Sequence, residues 1–407
     1  MPCHAEILAS LGRPRYNGRR KSPNRTEQVA PMSLLPDQFE DPAFRAKLRL
    51  ALVSGVGPRT SQVLLERFGT HAGVLAATRS ELERVSGVGP KLSQKITTAG
   101  EIDIDREISL CVDFDVDIMA LEDARYPHLL TEIPDPPSIL FLRGDISPAD
   151  AMSVAIVGTR HASSYGLAQA ERFGYELAKA GFTVVSGLAR GIDAAAHRGA
   201  LRAGGRTIAF LASGLRSIYP PEHETLADEV AEQGALLSES PPLAKPLSGA
   251  FPQRNRLITG MSLGVIVVEA ATRSGALISA RCAMEQGREV FAIPGRIDNA
   301  NARGCHRLLK DGAKLVESID DVLEELGPLT RPAKTEDGKT IHAPIELQLN
   351  EMETAIMQAL ADGQPTDMDS VVSRSGLPIQ NVLSTICVLE MRRLVRRLSG
   401  VSVQRAV

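Results

Sequence analysis

The sequence lacks the features that would place it in several common protein classes. Its formal net charge is -3, so there is no global excess of positive charge, and any site for a polyanion has to be local. The five cysteines are far apart and form no C-x-x-C pair, which argues against a disulfide framework or a zinc site and favours a reducing compartment. No apolar run reaches transmembrane length and no apolar h-region follows the N-terminus, so we expect no membrane partner and no secretory signal.

Two signatures of nucleotide-dependent enzymes are also absent. No G-x-G-x-x-G follows the first predicted strand of the central region, so the dinucleotide fingerprint is missing. The nearest approach to a Walker A loop is GALRAGGRT, which has Arg206 in place of lysine and no strand directly before it. We therefore expect no ATP hydrolysis, no cofactor and no metal ion.

Composition divides the 407 residues into three blocks, a tail and a linker. The N-terminal stretch mixes arginine with proline, asparagine and serine, and the segment GPLTRPAKTEDGKTIHAP is Pro-rich, charged and aperiodic. Neither stretch has the apolar pattern of a core. We predict a disordered basic tail over 1–41, a helix-hairpin-helix domain over 42–100, a Rossmann-like domain over 101–326, a linker over 327–344 and a winged-helix-like domain over 345–407.

One glycine-containing phrase occurs twice in the first block, as VSGVGPRTSQVL from Val53 and as VSGVGPKLSQKI from Val85. Glycine supplies the positive φ of a tight turn, and Pro58 and Pro90 suit the first position of a following helix, so we predict a tandem (SAM-like) helix-hairpin-helix. Backbone N–H groups at such turns can receive phosphates. A purely structural or protein-docking bundle is the alternative. The auxiliary DNA-binding candidates are Gly55, Gly57, Arg59, Gly87, Gly89 and Lys91.

The central block alternates short apolar runs with helical patterns. Examples of the runs are SVAIVG, FTVVSG, RTIAFLASG, GALLSE, GVIVVEA, REVFAIPG and AKLV. Strands interleaved with helices of this length predict an α/β fold, a Rossmann-like doubly wound and mostly parallel sheet. Ligands of such sheets bind outside the carboxyl ends of the strands, so the residues that follow each run are the candidate site.

Glycines, hydroxyls and arginines follow several of these strands. Gly158-Thr159-Arg160 follows the first run, and Gly187 and Arg190 follow the second. Glycine lets a backbone approach a ligand closely, and N–H groups with hydroxyls bind phosphate oxygens. The composition predicts a phosphate-binding rim.

The segment FPQRNRLITG concentrates one aromatic and two basic residues, Phe251, Arg254 and Arg256. Guanidinium groups bind phosphates through paired hydrogen bonds, and the face of a phenylalanine ring can stack on a base. This combination predicts a platform for a single strand. The alternative is that the arginines pair with carboxylates such as Glu239 or Glu269 while Phe251 lies in the core.

The last block reads as three helices followed by a two-stranded wing, with Thr366 as N-cap of the second helix. This pattern predicts a winged helix. The third helix has no Lys or Arg between Pro378 and Met391, whereas a helix that reads duplex DNA normally brings such side chains to the groove. Protein contact or regulation is therefore favoured over DNA contact. The cations lie at the helix end and wing, at Arg392, Arg393, Arg396 and Arg397.

The central block resembles the DNA-processing protein A family, also called DprA or Smf. The resemblance rests on ordered stretches that include VAIVGTRHASSYG, VVSGLARGIDAAAH, FPQRNRLITGMS and VVEAATRSGALISAR. It implies a Rossmann-like domain that binds single-stranded DNA, protects incoming strands in natural transformation and loads RecA onto them, as a cytoplasmic homodimer.

The family's Gly-Ser/Thr-Arg and Phe-x-x-Arg-Asn-Arg motifs correspond to 158–160 and 251–256 of this chain. Lys245 lies outside the motifs and is an additional candidate only. With the rim residues, the DNA-binding candidates are Gly158, Thr159, Arg160, Gly187, Arg190, Lys245, Phe251, Arg254, Asn255, Arg256, Ser274 and Gly275.

A nucleotide-processing hydrolase is the main alternative, because a sheet with a glycine-rich rim also suits nucleotide phosphoribohydrolases. Their P-G-G-x-G-T-x-x-E loop is missing, and the corresponding strand end reads EAATRSGALISA. Glu269 and Asp193 are the rim carboxylates to consider, and they make a weak catalytic pair, so we expect no enzyme activity. A structural dimer module for other proteins is a third hypothesis.

Overall fold

The computed structural model describes residues 39–326, 333–334, 340–341, 351–360, 364–391, 394–398 and 402–405. Nearly all of the predicted tail and most of the predicted linker lie outside these residues, as do Arg392 and Arg393. Within the linker range, strands β10 (Ala333–Lys334) and β11 (Thr340–Ile341) form a short antiparallel pair. In none of the described ranges is a helix long and apolar enough to cross a membrane.

The N-terminal block is helical, and both copies of the repeated phrase form the predicted turns. Gly55 and Gly87 have φ values of 101° and 85°, a conformation that favours glycine. Pro58 and Pro90 each occupy the first position of the next helix. The helices are α1 (Pro42–Ala51), α2 (Pro58–Phe68), α3 (His71–Ala76), α4 (Arg79–Leu82) and α5 (Pro90–Thr97).

A nine-stranded sheet follows helix α6 (Ile104–Asp113), in the order β1-β2-β6-β5-β4-β3-β7-β8-β9. Strands β3 to β9 are parallel and coincide with the seven predicted runs, whereas β1 and β2 join the β6 edge antiparallel. The strands are β1 (Asp117–Ala120), β2 (Ile139–Gly144), β3 (Ser153–Val157), β4 (Thr183–Ser186), β5 (Thr207–Leu211), β6 (Ala235–Ser238), β7 (Gly264–Val267), β8 (Glu289–Ala292) and β9 (Lys314–Leu315).

Helices cover both faces of this sheet because each central strand is apolar on both sides. In β3, Val154 and Ile156 belong to one core cluster, while Ala155 and Val157 belong to the other. This doubly wound arrangement was predicted. The helices are α7 (His128–Thr131), α8 (Ser164–Lys179), α9 (Ile192–Arg202), α10 (Glu224–Gln233), α11 (Ala250–Gly260), α12 (Gly275–Glu285), α13 (Arg303–Lys310) and α14 (Ile319–Leu326).

The described residues of the C-terminal block form three helices and a three-stranded antiparallel sheet of order β12-β14-β13 around their own apolar core. The predicted N-cap of the second helix is wrong by one position. Asp367, rather than Thr366, accepts a hydrogen bond from the N–H of Ser370. The elements are α15 (Glu351–Ala359), β12 (Thr366–Asp367), α16 (Met368–Ser375), α17 (Ile379–Met391), β13 (Val395–Arg397) and β14 (Ser402–Arg405).

Helices α8 and α9 touch through glycines that leave no room for a side chain. A Cβ added to Gly174 would lie 2.4 Å from the carbonyl oxygen of Ala196. One added to Gly199 would lie 2.2 Å from that of Glu171. Both obstacles are backbone atoms, so a small shift of a side chain would not relieve the clash. The start of α9 borders the candidate site described below, and this contact fixes its distance from α8.

We expect Gly199→Ala to lower the free energy of unfolding by about 1–3 kcal/mol, because the added methyl overpacks a rigid helix–helix contact. Gly100→Ala is the matched control, since a Cβ at Gly100 would have no neighbour within 4 Å. Urea denaturation followed by circular dichroism measures both variants. Equal midpoints for the two would contradict the close packing of α8 on α9.

Candidate nucleic-acid interface

A cleft of about 700 Å³ opens at the carboxyl ends of the parallel strands, between the β3–α8 loop, α11 and the start of α12. A smaller cavity shares part of its wall and extends it toward the β4–α9 loop. Together they bring together most of the predicted DNA-binding residues, namely Gly158, Thr159, Arg160, Gly187, Arg190, Phe251, Arg254, Asn255, Ser274 and Gly275.

The β3–α8 loop is held by backbone contacts to its neighbours. A Cβ on Gly158 would lie 2.4 Å from the Ile192 side chain, so the chain can pass α9 this closely only with glycine here. The Thr159 N–H donates to the carbonyl of Glu269, and the Thr159 carbonyl accepts from the N–H of Ile192. Arg160, the next residue, is thereby presented on a fixed backbone at the cleft.

Glu269, one of the two rim carboxylates considered for catalysis, is buried and already bonded. Its carboxylate accepts from the N–H of Ser163 at 2.9 Å, from the hydroxyl of Ser163 at 2.6 Å and from the side-chain amide of Asn299 at 3.3 Å. These bonds fasten the N-terminus of α8 to the end of β7. Glu269 therefore supports the wall of the cleft.

Arg254 lies under the floor of the cleft instead of reaching out of it. It is 5% exposed, and its Nη1 donates to the Phe210 carbonyl at 2.6 Å. Its guanidinium fills the place that a side chain at Gly187 would need, because a Cβ there would lie 1.7 Å from Nη1. Its Nε has no hydrogen-bond partner among the described residues.

Burial governs the charges of Arg254 and its neighbour Asp193. It lowers the pKa of Arg254 to about 10, an effect that the charge of Asp193 opposes, so the guanidinium is charged at neutral pH. Burial raises the pKa of Asp193, against the influence of Arg254 and of backbone N–H groups. Asp193 accepts from the N–H of Ala189 at 3.4 Å. The cleft floor thus combines a positive charge with a carboxyl that is already bonded.

Two neighbouring aromatic rings line the cleft wall, with an arginine against each of them. Arg160 lies over the Phe251 ring with its Cζ 4.7 Å from the centroid, and Phe251 meets Tyr219 edge-on at 5.7 Å. Arg190 lies 5.9 Å from the centroid of Tyr219. We call Arg160, Phe251, Tyr219 and Arg190 the arginine–aromatic row. Tyr219 was missed by the sequence analysis, although its position in the loop after β5 places it at a strand end.

Arg190 belongs to this row and also forms an ion pair with Glu222. Its Nε lies 2.5 Å from Glu222, and both side chains are about half exposed. Exposed pairs of this kind contribute only about 0–1 kcal/mol, so a phosphate can replace the carboxylate at little cost.

Arg256, in contrast, does not line the cleft. Its Nη2 donates to Glu239 and its Nη1 to the carbonyl of Asp135. The Asp135 carboxylate lies 3.6 Å from Arg256 Nη1 and 3.4 Å from Nε of Arg59. For Arg256, the pairing with Glu239 that the sequence left as an alternative is present in the structure.

The remaining candidates also lie away from the cleft. Lys245 is in the loop after β6, next to Pro246, which does line it. The glycines and cations of the two hairpins belong to the helical block. Among the described residues, no cluster of His, Cys, Asp and Glu is suited to hold a metal ion.

Comparison with known proteins matches the cleft domain to one family. The family model for "DNA recombination-mediator protein A" matches residues 117–327. The chain belongs to the DprA/Smf family. Models for a "SAM-like Helix-hairpin-helix tandem" and for a "DprA winged helix domain" match 47–99 and 342–401. Membership establishes a role in DNA recombination mediation and confirms the predicted fold of each block.

Several DprA/Smf proteins are similar over most of their length. Protein Smf of Escherichia coli is 41% identical over 278 residues, which are 68% of this chain and 74% of that protein. DprA of Bacillus subtilis is 43% identical over 52% of this chain and 71% of that protein. The X-ray structure of DprA from Streptococcus pneumoniae matches with a TM-score of 0.60 and 36% identity, covering 70% of this chain and 97% of that one.

In the winged helix of this DprA-family chain, helix α17 exposes both apolar and uncharged polar side chains. Ile379 and Leu383, one turn apart, are about 45% and 43% exposed, and Gln380 and Asn381 are exposed beside them. The basic residues Arg396 and Arg397 lie on the wing strand β13. Protein contact was favoured for this domain because the helix has no Lys or Arg, and it stays a prediction.

For this DprA/Smf protein we expect Arg256→Ala to destabilise the fold by about 1–3 kcal/mol, because Glu239 and Asp135 lose a charged hydrogen-bond donor. Arg273→Ala, an exposed arginine on the loop before α12, is the control and should leave the unfolding midpoint unchanged. Denaturant titration measures both. A normal midpoint for Arg256→Ala together with weakened DNA binding would instead assign Arg256 to the DNA contact.

Proposed function

We propose that this protein binds single-stranded DNA in the cleft, protects the strand and delivers it to RecA during natural transformation. The observation that carries the proposal is the arginine–aromatic row at the strand ends. Aromatic faces stack on bases and guanidinium groups bind phosphates, so two neighbouring rings with an arginine at each end offer both kinds of contact to one strand.

The cleft favours unpaired bases for a physical reason. Stacking on Phe251 or Tyr219 requires a base whose face is free, and the bases of a duplex already stack on each other. Beneath the row, Arg254 adds a positive charge in a place with little water, where electrostatic attraction to a phosphate is strongest. Thr159 and Ser274 add hydroxyls, and Gly275, where an added Cβ would meet nothing within 4 Å, lets the strand approach the backbone.

The remaining parts of the proposal are supported by family resemblance more than by geometry. They are delivery to RecA, action as a homodimer and a place in the cytoplasm. The free cysteines Cys111, Cys282 and Cys305 fit a reducing compartment. We also propose that residues 42–100, 101–326 and 345–407 act as separate units, with the cleft of the middle unit as the main DNA site and the hairpins as auxiliary contacts.

We propose further that the protein acts by binding and not by catalysis. Glu269 has its oxygens engaged in bonds to Ser163 and Asn299, and Asp193 is buried against Ala189. Glu269 is therefore not free to act as a base, and the Asp193 carboxyl at the cleft floor already accepts a hydrogen bond from Ala189. Incubation with nucleoside monophosphates should release no free base, and release of base would support the hydrolase alternative.

We expect the protein to bind an oligo-dT more tightly than a duplex of the same length, with an affinity that falls as salt is raised. Each phosphate contact contributes about 0.7 to the slope of log K against log salt for a single strand. Filter binding over a salt series measures both quantities. Equal affinity for duplex at moderate salt would contradict the cleft proposal, and absence of binding to either would favour the structural dimer module.

Two variants in the row separate phosphate contact from base stacking. Arg160→Ala should weaken binding and reduce the salt slope by about 0.7, because one phosphate contact is lost. Phe251→Leu should weaken binding by about 1–3 kcal/mol with no change in slope, because stacking releases no counterions. Melting curves control for folding. A changed slope in Phe251→Leu, or an unchanged one in Arg160→Ala, would contradict the assigned roles.

A further inference from the structure

The β4–α9 loop contains a buried leucine in a backbone conformation that leucine rarely adopts. Leu188 has a φ of 54° and no exposed surface. The left-handed region is unfavourable for a residue with a branched side chain, and it persists only where neighbouring groups hold it. The turn matters for the cleft, because Gly187, Ala189 and Arg190 flank Leu188 and all three line a cavity wall.

A buried histidine from another segment holds this turn. His223 is 5% exposed and lies in the single-turn 3-10 helix Pro221–His223, after β5. Its Nδ1 lies 2.8 Å from the carbonyl oxygen of Leu188. A carbonyl only accepts, so Nδ1 carries the proton and donates.

The same 3-10 turn contacts the loop a second time, through Glu222 and Arg190. On the opposite side, Asp193 accepts from the N–H of Ala189. The loop is therefore held from α9 at Ala189, and from the 3-10 turn at the carbonyl of Leu188 and the guanidinium of Arg190. Of these three contacts, the bond from His223 is the one made to the left-handed residue itself.

We infer that His223 is a positioning residue for DNA binding: its Nδ1–H holds the carbonyl of Leu188 and thereby the turn that sets Arg190 in the arginine–aromatic row. The inference rests on the proposed function of the cleft. His223 does not line either cavity, so it acts through the loop. It adds a residue that neither the rim pattern nor the family motifs assigned.

Two amide substitutions test the position of the donor. His223→Asn places an amide N–H where Nδ1 stands, whereas His223→Gln moves the donor one bond further out, toward the position of Nε2. Both substitutions introduce a polar, uncharged side chain. We expect His223→Asn to bind oligo-dT within about twofold of the wild type. We expect His223→Gln to bind about tenfold more weakly, which is within the range of interaction energies between residues in contact.

A double-mutant cycle with Arg190→Ala separates positioning from a general structural effect. If His223 acts by placing Arg190, adding Arg190→Ala to His223→Gln should weaken binding by less than about twofold further, because the contact is already lost. Binding is measured at a temperature where every variant is folded by its melting curve, so a lowered midpoint alone does not decide the result.

Three outcomes would overturn the inference while leaving the proposed function intact. The first is wild-type affinity in His223→Gln, and the second is an equal loss of affinity in the Asn and Gln variants. The third is a double variant whose loss of affinity equals the product of the losses in His223→Gln and Arg190→Ala. A wild-type protein that binds no single-stranded DNA would instead overturn the proposed function. Rescue by His223→Asn together with a non-additive cycle supports the inference.

Discussion

The buried guanidinium of Arg254 is the group around which the candidate site is arranged. It donates a hydrogen bond to the carbonyl of Phe210 in β5 and lies near Asp193 at the start of α9. It also occupies the space that a side chain at position 187 would need, which is why Gly187 fits there. One charge thus joins a strand, a helix and a loop that meet at the cleft floor. A buried charge without such partners is strongly unfavourable. A change that removed one of these partners would therefore destabilise the cleft floor.

The parallel part of the fold could be predicted because short-range sequence patterns identify its strands. Strands β3 to β8 are apolar runs buried on both faces, and the doubled Gly-Val-Gly-Pro phrase specifies its turns through positive φ and a proline-started helix. Strands β1 and β2 were not predicted. Asp117–Ala120 lies in an acidic stretch, and Ile139–Gly144 follows a proline-rich one. Their pairing with the β6 edge depends on contacts distant in sequence.

Most residues of the site were predicted from the sequence, but the positions of their side chains were not. Sequence reasoning found the residues after the strands because parallel strands bring their carboxyl ends to one edge. It could not separate Arg254 from Arg256, which are two positions apart on one helix and point to different surroundings, the first under the cleft and the second toward Glu239 and Asp135. It also missed Tyr219 and His223, whose roles depend on which loop faces them.

The carboxylate of Asp135 has a consequence for the repeated hairpins. It lies between Arg256 of the sheet domain and Arg59 of the first hairpin, whereas Lys91, the equivalent of Arg59 in the second hairpin, forms no ion pair within the described part of the chain; both hairpin cations are exposed. Two nearly identical phrases thus occupy different electrostatic environments. The duplication is symmetric in sequence but not in surroundings: the exposed cation of the first copy lies beside a carboxylate of the domain that holds the cleft, and the cation of the second does not.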